Sequence, residues 1–274
     1  MNKPFVIIND SFLPEDKAAL LVSDLAIQRG YGIFDFLRTI NGKFIFADDH
    51  LDRFFHSASQ MRLETGKTKD QLKELLTELV SKNNIPDSGI RITLTGGYSE
   101  DGYALAKPNM VISQKPLIVP EDNSADGIRL ISYEHQRQLP DVKTIDYIMA
   151  IWLRSYISQN NADDVLYHRA GRVSEIPRSN FFIVTYDDKV VTAGHNILKG
   201  IIRKQVLKIS GSRFDTEEKE IFLDDIRNAK EAFVTSTTKQ VLPVLQVDGQ
   251  QIGKGKPGEI TMWLKEQLIR LVYE

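Results

Sequence analysis

Apolar and polar residues along the N-terminal part of the chain predict a mixture of strands and helices. Two strand-like runs flank Asn41-Gly42, and this dipeptide between such runs is the strongest short-range signal of a β-hairpin. Asp48 and Asp49 are then predicted to cap a helix with apolar residues at helical spacing. The predicted elements are strands Phe5–Ile8, Phe34–Ile40, Lys43–Phe46, Ile90–Thr95 and Met110–Ser113, the capped helix with Leu51, Phe54, Phe55, Ala58 and Met61 on one face, and a second helix, Lys67–Lys82.

The C-terminal part of the chain continues this mixture. Its longest predicted helix is Thr144–Gln159, because Ile145, Ile148, Trp152 and Tyr156 fall on one face at helical spacing. The other predicted elements are strands Ile128–Tyr133, Val165–His168, Arg172–Ser174, Asn180–Thr185, Lys189–Thr192 and Ala232–Thr235, and a helix that begins near Gly200-Ile201. The sequence therefore predicts a mixed α/β chain.

A linker divides the predicted chain into two parts. The segment Gln114–Gly127 contains Pro116, Pro120 and a run of acidic and polar residues, which is typical of a loop between domains. At about 100 to 200 residues per domain, a chain of 274 residues has room for two domains. We therefore expect an N-terminal domain at 1–113 and a larger C-terminal domain at 128–274.

Composition excludes several classes of function. The chain has 35 Lys and Arg against 37 Asp and Glu, a formal net charge of −2, so no broad basic field favours nucleic acid or an anionic membrane. No apolar run approaches the roughly 20 residues that span a bilayer. The N-terminus turns polar at Asn9 and Asp10, too early for a signal peptide, and there are no cysteines. We expect a cytoplasmic protein without disulfides or thiolate metal sites, whose difficult chemistry needs an organic cofactor or a Ser, Lys or carboxylate site.

Lys143 and Glu175 are the first candidates for chemistry. Lys143 lies between Pro140 and the predicted helix, where the positive end of a helix dipole lowers the pKa of a lysine toward the nucleophilic amine. The alternative is a solvated surface lysine. Glu175 follows a predicted strand, and its alternative role is a plain salt bridge with Arg172 or Arg178.

Three further features suit an anionic ligand, each with a structural alternative. Gly200 precedes a predicted helix, where backbone N–H groups favour a phosphate, or else it is only a turn. The hydroxyl run Thr235–Thr238 can bind an anion or simply end a strand. Arg53 offers a planar guanidinium to a phosphate, or forms an ion pair with Asp49 or Asp52.

Taken in order along the chain, these motifs resemble one known family. They are similar to the class IV (fold-type IV) pyridoxal-phosphate aminotransferases, most of all to the D-amino-acid aminotransferases, with some branched-chain aminotransferase features. The resemblance implies a two-domain fold with a small N-terminal α/β domain and a larger, pseudobarrel-like C-terminal domain. The motifs that carry it are His50-Leu51-Asp52-Arg53, Lys143, Glu175 with Asn180, Leu198-Lys199-Gly200-Ile201, Thr235–Thr238 with Pro243-Val244, and the tail Val247–Gly258.

The resemblance also implies roles for individual residues. Lys143 would form the internal aldimine with pyridoxal 5'-phosphate and then serve as the general base. Glu175 would face the pyridine nitrogen and keep it protonated. Ile202 stands where the family usually has Thr, so its backbone contact is kept and a hydroxyl is lost. The implied cofactor-binding residues are Arg53, Lys143, Tyr147, Glu175, Ser179, Asn180, Gly200, Ile201, Ile202 and Thr237, with Tyr147 one helical turn after Lys143.

Substrate recognition departs from the family pattern. Gly96-Gly97 stands where D-amino-acid aminotransferases carry Arg-Gly, so the usual carboxylate clamp is missing. Arg91 takes the place of an arginine found in branched-chain aminotransferases, while Arg29 and Arg178 replace other residue types. We expect these three arginines to form an alternative carboxylate site, with surface ion pairs as the other interpretation. The predicted substrate-binding residues are Arg29, Arg91, Arg178, Phe34 and Thr238.

The resemblance leaves several functions open. The first is amino transfer between a small D-amino acid, such as D-alanine or D-glutamate, and a 2-oxo acid such as 2-oxoglutarate. The alternatives are a branched-chain L-amino-acid aminotransferase, an aminodeoxychorismate lyase and a catalytically silent scaffold. The segment Gly97–Tyr103 faintly resembles a loop of the lyase. The resemblance also implies a homodimer in which Arg29 is a candidate to reach the partner's site.

Overall fold

In the computed structural model, which describes residues 3–117 and 127–273, the predicted hairpin lies at one edge of an antiparallel sheet. Ile40 pairs with Lys43 across the turn. The two turn residues between them, Asn41 and Gly42, have φ angles of 49° and 77°. Because a two-residue turn with positive φ at both positions matches the twist of the strands, Asn-Gly is the preferred sequence there. The hairpin prediction is confirmed.

Residues 3–117 form six strands and three α-helices, with a short 3-10 helix at Glu15–Lys17. All pairings in the sheet are antiparallel, in the order β2-β1-β6-β5-β3-β4. The elements are β1 Phe5–Ile8, β2 Ser11–Pro14, α1 Leu25–Arg29, β3 Gly32–Ile40, β4 Lys43–Ile45, α2 Ala47–Gln60, α3 Lys69–Asn83, β5 Ser88–Thr95 and β6 Met110–Pro116. The predicted strands and both predicted helices correspond to these elements, with shifted ends.

Helices α2 and α3 pack their apolar residues into one core with the sheet. Leu51, Phe54 and Leu76 are fully buried in it. The prediction that Asp48 and Asp49 cap α2 is wrong, because α2 already begins at Ala47 and both residues lie in its first turn. Acidic side chains in a first turn still interact favourably with the helix dipole.

Residues 127–273 contain eleven strands in one curled sheet. The path is β13-β12-β11-β15-β16-β7-β8-β9-β14, with β10 paired to β11 and β17 to β16. The elements are β7 Ile128–Glu134, α4 Ile148–Trp152, α5 Arg154–Gln159, β8 Asp164–Arg169, β9 Arg172–Val173, β10 Glu175–Ile176, β11 Ser179–Val184, β12 Val190–Thr192, α6 Ile201–Ser210, β13 Thr216–Glu218, β14 Ile221–Phe222, α7 Leu223–Arg227, β15 Glu231–Ser236, β16 Gln240–Val247, β17 Gln250–Gln251 and α8 Glu259–Tyr273. The mixed α/β class is confirmed.

The predicted helix Thr144–Gln159 is wrong at its start, in its continuity and in its buried face. It begins at Ile148 and is interrupted at Leu153, which is buried against the sheet strand β8. Ile148 and Trp152, placed on the apolar face by their spacing, are 72% and 66% exposed. Helical spacing therefore predicted most of the helical residues here, but it did not predict which face of the helix is buried.

The chain forms two compact units, and one short segment from its C-terminal part belongs to the first unit. The first unit is Met1–Ile118 with Val142–Asp146, and the second is Val119–Asp141 with Tyr147–Glu274. The strand β6 continues through Pro116 into the predicted linker, while 118–126 lie outside the described residues. The domain boundaries at 113 and 128 stay predictions. Among the described residues, none of the helices is long and apolar enough to cross a membrane.

Candidate active site

Lys143 lies in an extended segment of the first unit. Its carbonyl accepts a 2.9 Å hydrogen bond from the Phe34 N–H, and its own N–H donates to Ser57 Oγ at 3.2 Å. The next residue, Thr144, forms an isolated antiparallel bridge with Ile33. Because this pairing with β3 keeps the segment extended, α4 begins only at Ile148. The prediction that Lys143 feels the positive end of a helix is therefore wrong, since dipole effects fade within the first turn.

The ring of Phe34 brings Lys143 and Arg91 together. Lys143 Nζ lies 4.7 Å from the ring centroid, and the Arg91 guanidinium carbon lies 3.7 Å from it. Phe34 is buried on β3, and Arg91 lies on the neighbouring strand β5. A cation within about 6 Å of an aromatic face is attracted to it. One aromatic ring thus holds a lysine and an arginine at one place.

Arg53 is held by a buried carboxylate that the sequence did not indicate. Its Nε donates to Asp35 Oδ2 at 2.8 Å and its Nη2 to Asp35 Oδ1 at 2.9 Å. His50 Nδ1 lies 2.7 Å from the same Oδ1. Of the two predicted alternative partners, Asp52 pairs instead with Lys69 at 2.7 Å, while a pair with Asp49 stays a prediction. Asp35 is an ion-pair partner of Arg53 that was not predicted.

The electrostatics of this cluster favour an ionised Asp35 beside a neutral His50. Burial by itself raises the pKa of Asp35, but the charge of Arg53 and hydrogen bonds from Arg53 and His50 outweigh it and bring that pKa well below its ordinary value of 3.8. Burial lowers the pKa of His50 from its ordinary 6.5, although Asp35 opposes this. A neutral His50 whose Nδ1 faces a carboxylate oxygen donates its Nδ1–H to it.

In the second unit, Glu175 is buried and both of its oxygens accept hydrogen bonds. Arg137 Nη1 donates to Oε1 at 3.0 Å, and the Leu198 N–H donates to Oε2 at 3.0 Å. The salt-bridge alternative for Glu175 is correct in kind and wrong in partner, because Arg172 pairs with Glu220. This carboxylate is fixed from two sides.

The start of α6 is built around Asn180. The Asn180 amide donates to the Leu198 carbonyl at 2.7 Å and accepts from the Gly200 N–H at 3.2 Å. A Cβ at Gly200 would lie 2.2 Å from Asn180 Oδ1, so any side chain there would displace the asparagine. α6 has no side-chain cap at Gly200. The N–H groups that open such a helix lack partners within it and favour an anion.

Two buried hydroxyl groups beside this turn are unpaired. Thr235 pairs with Asn180 across β15 and β11, so their side chains share one face of the sheet. Among the described residues, Thr235 Oγ1 and Ser179 Oγ are buried side-chain atoms without a hydrogen-bond partner. A buried hydroxyl left unpaired costs about 1–3 kcal/mol, so these atoms suit a ligand that accepts or donates hydrogen bonds.

The remaining predicted residues are scattered and mostly exposed. Arg29 is exposed at the end of α1 and donates to the Gln28 carbonyl, and Arg178 is exposed in the two-residue turn between β10 and β11. Thr237 and Thr238 lie in the turn after β15, where Thr238 is exposed. Tyr147 directly precedes α4 and the residues between it and Lys143 are not helical, so its placement one helical turn after Lys143 is wrong.

Sequence reasoning missed Asp35, Arg137 and Ser57. Asp35 had a usable signal, since it is the one acidic residue in a strand whose neighbours on both faces are buried. A charge in such a strand needs a partner. Arg137 and Ser57 had no comparable signal, because their partners lie 38 and 86 residues away in the chain.

Comparisons with known proteins match most of the chain to aminotransferases. The family model for class IV amino-transferases matches residues 32–247. The chain is 32% identical over 273 residues to D-alanine aminotransferase of Staphylococcus haemolyticus, covering 95% of each chain. It is 30% identical over 265 residues to D-alanine aminotransferase of Bacillus licheniformis, covering 93% of each.

Solved structures share the fold. The branched-chain amino acid aminotransferase from Escherichia coli has a TM-score of 0.88 at 21% identity, covering 98% of this chain and 94% of that one. The branched-chain aminotransferase of Thermoproteus uzoniensis with norvaline has a TM-score of 0.87 at 25% identity, covering 98% and 94%.

Proposed function

The chain belongs to the class IV aminotransferase family, and we propose that it transfers an amino group from a small D-amino acid to a 2-oxo acid such as 2-oxoglutarate. The family identifies it as a pyridoxal-phosphate-dependent transaminase. The observation that carries the D-amino-acid proposal is the match to D-alanine aminotransferases over about the full length of both chains. D-Alanine and D-glutamate are the donors we expect.

The residues present fit pyridoxal phosphate. In the second unit, the first turn of α6 and the unpaired hydroxyl of Thr235 suit a phosphate. In the first unit, Asp35 orients the planar fork of Arg53, which is the geometry that binds phosphate oxygens. We propose that these groups, with the Ile201 and Ile202 N–H groups and Thr237, hold the phosphate. Ser179 and Asn180 support this part of the site, and Tyr147 is proposed to contact the ring.

We assign the proton transfers to Lys143. When bound, pyridoxal phosphate draws electrons from the substrate Cα and so acidifies its C–H bond. The Lys143 amine would hold the cofactor and carry the proton that leaves Cα. Its backbone is fixed by hydrogen bonds to Phe34 and Ser57, which limits where the amine can reach.

Glu175 is proposed to accept a hydrogen bond from the pyridine N–H of the cofactor. A carboxylate opposite this nitrogen keeps it protonated, which sustains the electron-withdrawing ring. Its two existing hydrogen bonds, from Arg137 and Leu198, fix its orientation. A carboxylate oxygen can accept more than one hydrogen bond.

Three arginines are proposed to bind substrate carboxylates. Arg91 is supported best, because it shares the Phe34 ring with Lys143. Arg29 and Arg178 are exposed at the end of α1 and at a hairpin turn, and Thr238 is exposed beside β15. Replacing each arginine by Ile should raise KM for 2-oxoglutarate, and an unchanged KM in all three variants would contradict the proposal.

We further propose that the enzyme is a homodimer. Ile148, Ile151 and Trp152 are more than half exposed at i, i+3 and i+4 of α4, so they form one apolar face. Exposed apolar patches commonly mark protein interfaces. Arg29 is the residue proposed to reach the partner's site. Light scattering at micromolar concentration should give twice the mass of 31.2 kDa, and a monomer would contradict the proposal.

The main alternative is transfer from branched-chain L-amino acids, which Arg91 favours. Turnover of D-alanine with 2-oxoglutarate, followed by chiral analysis of the glutamate formed, separates the two. We expect D-glutamate; formation of L-glutamate from L-leucine alone would support the alternative. Aminodeoxychorismate lyase activity would instead release pyruvate from aminodeoxychorismate without any amino acceptor. A silent scaffold would stay colourless after addition of pyridoxal phosphate.

A further inference from the structure

Arg137 joins a buried carboxylate to the backbone that leads to Lys143. Its Nη1 donates both to Glu175 Oε1 at 3.0 Å and to the Pro140 carbonyl at 2.9 Å, while its Nη2 lies 3.5 Å from the Leu139 carbonyl. Its side chain is 19% exposed and that of Glu175 is 7% exposed. The Arg137 guanidinium therefore contacts both Glu175, which is proposed to bind the cofactor ring, and Pro140, three residues before Lys143.

These contacts have two physical consequences. The guanidinium is always charged, so it offers the carboxylate form of Glu175 a charge-assisted hydrogen bond, which is about twice as strong as a neutral one. The same group satisfies a backbone carbonyl that would otherwise require water or another donor. Loss of Arg137 would remove its hydrogen bonds to Glu175 and to the Pro140 carbonyl, while the bond from the Leu198 N–H to Glu175 would remain.

We propose that Arg137 is a positioning residue of the cofactor site, which aligns the Glu175 carboxylate and fixes the Leu139–Pro140 turn ahead of Lys143. This inference rests on the proposed function, because the role of Glu175 depends on pyridoxal phosphate binding. The carboxylate opposite the ring nitrogen thus acts as part of an ion pair rather than as an isolated charge.

The shape of the guanidinium matters as well as its charge. Arginine presents several N–H groups in a rigid planar fork, whereas lysine has a single ammonium on a flexible stem. Arg137→Lys keeps a positive charge near Glu175 but cannot reproduce the whole set of contacts. Arg137→Gln removes the charge and keeps one amide donor. The two variants therefore separate the effect of charge from that of geometry.

The test compares both variants with a matched exposed arginine. Arg227 pairs with Asp224 at 2.7 Å on the surface of the same unit, so Arg227→Gln removes an exposed ion pair between residues that have no proposed role in the site. Three quantities are measured in each purified protein: the dissociation constant of pyridoxal phosphate, the pH midpoint of the visible absorbance of the bound cofactor, and the unfolding temperature of the cofactor-free protein.

We expect Arg137→Gln to weaken cofactor binding about tenfold or more, since a buried charge-assisted contact is lost. The pH midpoint should move upward, because removal of a nearby positive charge makes proton release harder. Arg137→Lys should weaken binding but restore the midpoint, and Arg227→Gln should leave both quantities unchanged.

A lowered unfolding temperature with wild-type affinity and midpoint in Arg137→Gln would show a purely structural role and overturn the inference. If Arg137→Gln does not fold, Arg137→Lys decides: weakened binding supports the inference, and wild-type affinity overturns it. If the wild-type protein fails to bind pyridoxal phosphate, the proposed function itself fails, and that result is visible before any variant is compared.

Discussion

Asp35 holds the Arg53 guanidinium through two hydrogen bonds of 2.8 and 2.9 Å in the interior of the first unit. Asp35 is completely buried, and the Arg53 side chain is 10% exposed. The pair fixes the plane of the guanidinium before any ligand arrives. Arginine prepared in this way binds phosphate oxygens with little further loss of side-chain freedom.

Replacing the buried carboxylate should therefore affect stability and cofactor binding together. Asp35→Asn removes the buried negative charge that pairs with Arg53, and breaking a buried pair in this way costs about 3–5 kcal/mol of unfolding free energy. Urea unfolding of the cofactor-free protein measures this. Asp52→Asn, which breaks the more exposed pair with Lys69, is the control and should change little. Equal unfolding free energies for the two variants would contradict the role given to Asp35.

The same cluster predicts lower stability in acid. Folding lowers the pKa of His50, so the stability that its neutral form contributes is fully present above its ordinary pKa of 6.5. This stability is lost as the pH falls below 6.5, because the unfolded chain takes up a proton first. The lowered pKa of Asp35 removes further stability as the pH falls below 3.8. Urea unfolding at several pH values measures this. His50→Asn should reduce the loss between pH 6.5 and 3.8, and an unchanged slope there would contradict it.

Gly200 should not tolerate a side chain. In Gly200→Ala the new Cβ would lie 2.2 Å from Asn180 Oδ1, so the asparagine has to move and its bonds to the start of α6 weaken. We expect a loss of about 1–3 kcal/mol in unfolding free energy and weaker binding of pyridoxal phosphate. Gly194→Ala is the matched control, since its Cβ would find its nearest atoms at 3.5 Å. Cofactor titration that gives equal affinities for both variants would argue against a phosphate at this turn.

The Phe34 ring should matter for substrate binding through Arg91. Phe34→Leu removes the aromatic face under the Arg91 guanidinium, and a cation–π contact is worth about 0.5–1 kcal/mol at accessible sites. We expect KM for 2-oxoglutarate to rise about two- to fivefold in steady-state kinetics. Phe34→Tyr keeps the ring and should keep KM near the wild-type value. A rise of the same size in Phe34→Tyr would show that the ring contact is not the cause.

Local patterns predicted the fold well where one interaction decides the structure. Asn41-Gly42 gave the hairpin because the turn itself requires positive φ at two positions. The segment from Thr144 to Asp146 was predicted as the start of a helix because its spacing fits, but its backbone pairs with β3, more than 100 residues earlier in the chain. No window of local sequence contains that partner.

The candidate site divides in the same way. Lys143, Glu175 and Arg53 were recognised because the motifs around them occur in the same order as in the class IV aminotransferase family. Asp35 holds Arg53, and Arg137 holds Glu175, through contacts across 18 and 38 residues of the chain. The spacing of residues along the sequence does not indicate such contacts. The cofactor roles of the individual residues, the homodimer and a cytoplasmic location stay predictions.

One measurement tests the central claim most directly. The purified enzyme, loaded with pyridoxal phosphate, is mixed separately with D-alanine, L-alanine, D-glutamate, L-glutamate and L-leucine, and the visible absorbance is followed without any amino acceptor. We predict that D-alanine and D-glutamate convert the cofactor to its amine form and that Lys143→Ala shows no conversion with either. Conversion by L-leucine alone would contradict the account.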